Sequence, residues 1–175
     1  MSNNVRTSLS PAMSLTIIAS ILLLIFAILF RPQPTALSIF EKGTYHPYPL
    51  MEESVKSINI DEKINLNLVT DTSGNIYFYT IYNEQLSNYG LIANINDLEE
   101  EIYWNIYTDR TSSSGRWFVG IITNKDIETI SVNNQNNIQY VNYNGYTLSY
   151  STEPVEEPVV IKGFSNENNL IYENH

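Results

Sequence analysis

The chain contains no cysteine. That absence excludes disulfides, thiol nucleophiles, thiolate-ligated zinc and lipid-modified cysteine anchors. Histidine is nearly as scarce: only His46 and His175 occur, far apart in sequence. A histidine-rich metal site is therefore not expected, and no cofactor is. Basic residues are few, with 9 Lys+Arg against 19 Asp+Glu, a net charge of -10 and a pI of about 4.5. Nucleic acid, whose phosphates demand clustered Lys and Arg, is not an expected partner. Glycine and proline number 7 each in 175 residues, too few for a fibrous or low-complexity chain. Neither Gly-x-Ser-x-Gly nor Ser-x-x-Lys is present, and the loop Ser112-Ser-Ser-Gly115 lacks the Gly-Lys-Ser/Thr ending of a phosphate cradle. The expectation is a protein that is not an enzyme.

Charge is also missing from Thr7 to Phe30, and Met13–Phe30 is almost wholly apolar. At 1.5 Å per residue, 18 residues reach about 27 Å, enough for a bilayer core. A signal peptide has a shorter apolar region, of about 7–15 residues, and cleavage favours small residues where Pro34 stands. The segment predicts one uncleaved transmembrane helix over residues 13–30, making the membrane a partner. Arg6 precedes it, every acidic residue lies at Glu41 or beyond, and residues from Leu37 onward carry seven basic residues against all 19 acids. Positive-inside reasoning then predicts a single-pass protein of the cell membrane, with a cytoplasmic tail over 1–12 and an extracytoplasmic domain. The chain has 22 Asn, none heading an Asn-x-Ser/Thr acceptor, which favours a cell that does not N-glycosylate exported chains.

Pro32, Pro34, Pro47 and Pro49 restrict the residues before them to extended geometry, so 31–50 reads as a tether. Leu37, Ile39 and Phe40 are apolar for a bare linker, which favours their docking on the domain or the bilayer surface. From Met51 the pattern changes to short Ile/Val/Tyr/Phe runs broken by Asn, Asp, Ser and Gly. Strands are predicted over Ile64–Thr70, Ile76–Tyr82, Tyr89–Ile95, Ile102–Thr108, Trp117–Thr123, Glu128–Val132, Ile138–Tyr143, Tyr146–Tyr150, Val159–Phe164 and Leu170–Glu173. This spacing predicts a mainly β domain over 51–175, an antiparallel sandwich or barrel. At most two short helices are expected: Met51, Val55 and Ile58 have helical spacing, and Asp97 with Glu100 resembles a helix cap.

One hairpin is specified in detail. Asn144-Gly145 suits a type I′ turn, in which both central residues take positive φ. The register then sets Tyr143 opposite Tyr146, Val141 opposite Leu148 and Gln139 opposite Tyr150 on the core face. Tyr140, Asn142, Thr147 and Ser149 share a wetter face.

Tyrosine is abundant, at 13. Tyr77, Tyr79 and Tyr82, or Tyr103, Trp104 and Tyr107, have the chemistry of a stacking platform for a glycan or peptide, but aromatics also favour strands generally. The run Ile102–Tyr107 puts large aromatics on both strand faces, so either both faces are covered or one is a contact surface. Tyr103, Trp104 and Tyr107 are thus the candidate binding residues. Acidic residues cluster at Asp97–Glu101, at Asp126 with Glu128 and at Glu153–Pro158. Paired carboxylates can hydrolyse glycosides and oxygen-rich loops can hold calcium. Asp71-x-Ser73-x-Asn75 echoes a calcium loop, yet Gly74 comes too early and no acid follows at the twelfth position. Such runs usually form solvated surface. His46, among prolines and aromatics, reads as a packing or surface residue.

The segment Trp117–Val132, with its Gly120-Ile-Ile run, polar turn and Ile-x-x-Ile-x-Val ending, precedes a hairpin and the closing segment Val159–Tyr172. This resembles a pattern in small exported or membrane-anchored β-domain proteins of Gram-positive bacteria, with Asn169 where that pattern often has Gly. The resemblance covers the last third of the chain. It implies an anchored extracytoplasmic β domain and transfers no catalytic residue. The expected function is binding of a protein or cell-envelope partner; the alternatives are an immunity or inhibitor protein against a basic partner, and an envelope hydrolase using a carboxylate pair.

Overall fold

The computed structural model describes residues 11–30, 32–60, 65–108, 115–135 and 137–174. The chain divides into two units, Met1–Pro34 and Thr35–His175. In the first, α1 spans Pro11–Leu29. Its side chains are described from Leu15 onward, and every one of them through Phe30 is exposed. Among the described residues no helix is long and apolar enough to cross a membrane. Met13 and Ser14 of the span expected over 13–30 lie outside the described side chains, as do residues 1–10 of the expected tail.

The second unit begins with α2, Ala36–Gly43, so residues expected in a tether belong to the compact unit instead. Thr35 caps the helix by accepting from Ser38 N at 3.1 Å, and Thr44 closes it through N–H and hydroxyl bonds to Phe40 O. Phe40 is buried against Val69 and Tyr79, its ring 4.5 Å from that of Tyr79. Burial of one such ring contributes about 2–3 kcal/mol, enough to hold so short a helix on the domain.

Among the described residues eleven strands follow: β1 Leu50–Asn59, β2 Asn65–Asp71, β3 Asn75–Tyr82, β4 Gln85–Asn94, β5 Ile102–Thr108, β6 Arg116–Ile122, β7 Thr129–Val132, β8 Ile138–Tyr143, β9 Tyr146–Ser151, β10 Ile161–Phe164 and β11 Leu170–Glu173. They form three antiparallel sheets, in orders β1-β2-β3-β4, β5-β6-β9-β8 and β11-β10-β7. The domain is mainly β, as the alternation predicts. β1 was the place of an expected helix. A bulge between Met51 and Lys56 shifts the phase, sending Val55 to the α2 side and Ile58 into the core beneath; that shift produced the helix-like spacing. The Asp97/Glu100 cap pattern opens no helix either: a hydrogen-bonded turn and bend lead directly into β5.

Two larger cores share the second sheet. Leu66, Leu68, Ile76 and Phe78 of the first sheet meet Tyr107, Trp117, Val119 and Leu148 of the second. On its other side, Ile102, Phe118 and Ile122 meet Ile130, Val132 and Ile161 of the third. β6 feeds alternate side chains to the two cores, which explains its unbroken apolar run Trp117–Ile122. The Asn144-Gly145 turn has φ of 50° and 88°, and Tyr143↔Tyr146, Val141↔Leu148 and Gln139↔Tyr150 pair as predicted.

Candidate functional site

Tyr103, Trp104 and Tyr107 do not form one platform. Strand alternation sends Tyr103 and Tyr107 to the first core and Trp104 to the second. Tyr107 is wholly buried, its ring 5.6 Å from Phe78 and 5.9 Å from Trp117. Stacking on a ligand requires a free ring face, and this ring has none. Both faces of β5 are covered. The Tyr103 hydroxyl accepts from Glu99 N at 2.6 Å and Glu100 N at 3.0 Å and donates to Asp97 O at 3.0 Å. It shapes the acidic turn before β5.

Tyr77 and Tyr79 lie beneath α2, each packed on Phe40, while Tyr82 is 42% exposed at the strand end. His46 stacks on Phe40 at 6.1 Å and its Nδ1 lies 3.2 Å from Tyr48 O, a packing role. Asp71 is buried rather than solvated. Its carboxylate accepts from Ser73 N and Asn75 N, both at 2.9 Å, from Asn75 Nδ2 at 2.8 Å and from Tyr77 OH at 3.2 Å. Four donors fill its acceptor sites, so it locks the β2–β3 turn. Burial and the Asp71 charge together raise the Tyr77 phenol above its ordinary value. In the third cluster, Glu157 pairs with Arg116 and Val155 is buried beside it, so that connector is pinned at its middle.

The Asp97–Glu101 turn becomes a site through a partner remote in sequence. Thr123 N and Asn124 N donate to Glu101 O at 3.0 and 3.3 Å, and the Thr123 hydroxyl donates to Glu100 O. The backbone is thereby held while Glu99 and Glu100 remain exposed. Opposite lies β11, and between them runs a groove of about 590 Å³ lined by Glu99, Glu100, Glu101, Leu170, Tyr172 and Glu173, with Ile171. Among the described residues, no basic one lines it. Lys162 reaches only the end, 3.3 Å from Glu173. Burial, followed by the charges of Glu100 and Glu101, raises the Tyr172 phenol above its ordinary value. β11 is an edge strand, paired only with β10 among the described residues, and Leu170 is 52% exposed on it. An unpaired edge beside four carboxylates is equipped to receive an extended, positively charged chain.

Comparison of the chain with protein-family models, with curated proteins and with solved structures finds no match. Among the described residues, no three His, Cys, Asp or Glu side chains are grouped to hold a metal ion. The sequence pattern marked Glu99–Glu101 as acidic. It held no sign that Leu170–Glu173, some seventy residues away, would form the facing wall.

Proposed function

We propose that the chain is a non-catalytic binding module, anchored by residues 13–30 with its N-terminus in the cytoplasm and its domain outside the cell. In this reading the three sheets stack as layers of a sandwich about the two large cores. The domain grips an extended Lys- and Arg-rich segment of a protein partner. The observation that carries the reading is the groove between Glu99–Glu101 and edge strand β11, lined by four carboxylates, of which Glu173 alone pairs with a cation, Lys162, among the described residues. Strand addition supplies main-chain hydrogen bonds, and the carboxylates select for positive charge. The anchor is supported by the continuous exposure of apolar side chains from Leu15 to Phe30, a surface that water disfavours. The same acidity suits an inhibitor or immunity protein masking a basic partner.

The test uses the full chain in phospholipid nanodiscs and a decapeptide alternating Lys or Arg with Val. Saturable binding that weakens steeply with salt is expected, with loss in the Glu99→Gln/Glu100→Gln/Glu101→Gln variant. Methylation of alternate peptide nitrogens removes strand hydrogen bonds and should also abolish capture. Equal binding of a Glu-substituted peptide would defeat the reading. Protease shaving of intact cells checks orientation: a domain shielded from external protease contradicts it.

A further inference from the structure

We propose that the seam around Tyr140 is a second binding site that takes a neutral, hydroxyl-rich glycan strand. Three hollows of about 450, 530 and 460 Å³ adjoin there. The first two share Lys125 and Glu128, and the last two share Thr129 and Tyr140, so they lie in series as a trough whose first hollow also touches Ile171 at the acidic groove. Each falls within the size range of small-ligand sites, about 300–1,000 Å³.

Tyr140 stands between two of the hollows with 39% of its surface exposed. Its hydroxyl is fixed by Ile130, accepting from the amide at 2.8 Å and donating to the carbonyl at 3.3 Å. The ring is therefore held as a rigid wall, at little further entropic cost on binding. Sugar rings present C–H faces that pack on such a ring, and hydroxyl pairs that need a donor beside an acceptor. Asn134, Asn166 and Asn168 supply that pairing: all three line the trough and are exposed, and among the described residues none uses its side-chain amide in a hydrogen bond. Asn134 and Asn168 have φ of 61° and 64°, fixing where their amides emerge.

Two alternatives fit less well. A peptide strand has no edge to join, because Tyr140 occupies the outward groups of Ile130 and Val132 pairs with Gln135. An anionic ligand meets Asp126, Glu128 and Glu167 against Lys125, the single cation among the described lining residues. A neutral polyol meets neither obstacle.

The test titrates the full chain in phospholipid nanodiscs with two neutral probes, N-acetylglucosamine hexamer and cellohexaose, by calorimetry and tyrosine-ring NMR. At least one hexamer should bind saturably and independently of salt, and equally in the Glu99→Gln/Glu100→Gln/Glu101→Gln variant, which separates this site from the peptide groove. Tyr140→Leu should weaken binding about ten-fold. Asn166→Ala combined with Asn168→Gly keeps the turn geometry and should weaken it similarly, with an unchanged melting temperature. Absence of saturation by either hexamer at millimolar sugar overturns the proposal. So does full affinity in the double asparagine variant, or tighter binding of an anionic galacturonic acid hexamer.

Discussion

The hydroxyl of Tyr140 lies 2.8 Å from the amide nitrogen of Ile130 and 3.3 Å from its carbonyl oxygen, so a side chain of β8 completes the free edge of β7. Ile130 sits opposite Gly163 of β10 and directs both backbone groups away from that strand. One phenol thus replaces a neighbouring strand at the point where an unpaired edge would invite association. The other edge of the same sheet, β11, has no such plug among the described residues and shares its groove with glutamates instead.

Tyr140→Phe keeps the ring and deletes the plug. Because the Ile130 amide and carbonyl lose their partner together, destabilisation of about 1–3 kcal/mol is expected by urea unfolding. Hydrogen exchange at the Ile130 amide should accelerate more than at Leu148, in the centre of the second sheet. Unchanged exchange at Ile130 would show that the hydroxyl is not what closes this edge.

Tyr79 invites the opposite substitution. Its phenol is fully buried beneath Phe40 and, among the described residues, makes no hydrogen bond. Burial, then the nearby Tyr143 and Glu41, pushes its pKa up to about 12 from 10.0. Removing an unsatisfied buried hydroxyl, Tyr79→Phe should stabilise the domain by about 1 kcal/mol at neutral pH. The folded state holds this proton more tightly than the unfolded chain, so stability from the neutral phenol is present below pH 10 and lost as pH rises toward 12. Stability measured across that alkaline window should therefore fall less in Tyr79→Phe than in the parent.

Much of the sheet was legible because alternation and turn residues act locally. β5, β8 and β11 occupy the expected spans, and the Asn144-Gly145 turn fixes the register of its hairpin before any distant contact forms. β1 was misread because a bulge breaks the period of two that identifies a strand. α2 was misread because eight residues between proline-containing segments carry little helical signal; its stability comes from Phe40 docking on Val69 and Tyr79. The acidic groove and the Tyr140 trough are both assembled from segments that meet only in the folded domain. Composition alone indicated that one of them would be negative.

The position of Phe40 sets where the domain begins. Unit boundaries at Thr35 predict that a chain truncated to start at Thr35 unfolds at nearly the same temperature as the parent domain. Starting at Met51 uncovers Tyr79, Val69 and Leu86 and should cost about 3–5 kcal/mol, as should Phe40→Ala in the longer chain. Limited proteolysis provides a second readout: Phe40→Ala should expose cleavage between Ala36 and Pro49 while β2–β4 stay protected. Equal stability of the two truncations would return residues 35–50 to a tether.

Two glycines separate torsional strain from steric overlap. Gly145 has φ of 88°, and a Cβ placed there meets nothing within 4 Å. Gly145→Ala therefore suffers only the left-handed backbone penalty, about 1–2 kcal/mol, and Gly145→Val more because a branched Cβ tolerates positive φ poorly. Gly74 has nearly the same φ, 87°, but a Cβ there would lie 2.6 Å from Asn96 Nδ2 and 2.7 Å from Ile95 Cγ1. Gly74 itself sits in the turn whose Ser73 and Asn75 amides Asp71 receives, Ile95 and Asn96 press on that turn from the end of β4, and the Asn96 amide is committed to Ser73 O at 2.9 Å. Gly74→Ala must disturb that network as well as its own backbone, so it should cost about 1–3 kcal/mol more than Gly145→Ala in paired urea melts. Equal losses would mean that the Asn96 and Ile95 side chains move aside freely and that the β2–β3 turn is held by torsion alone.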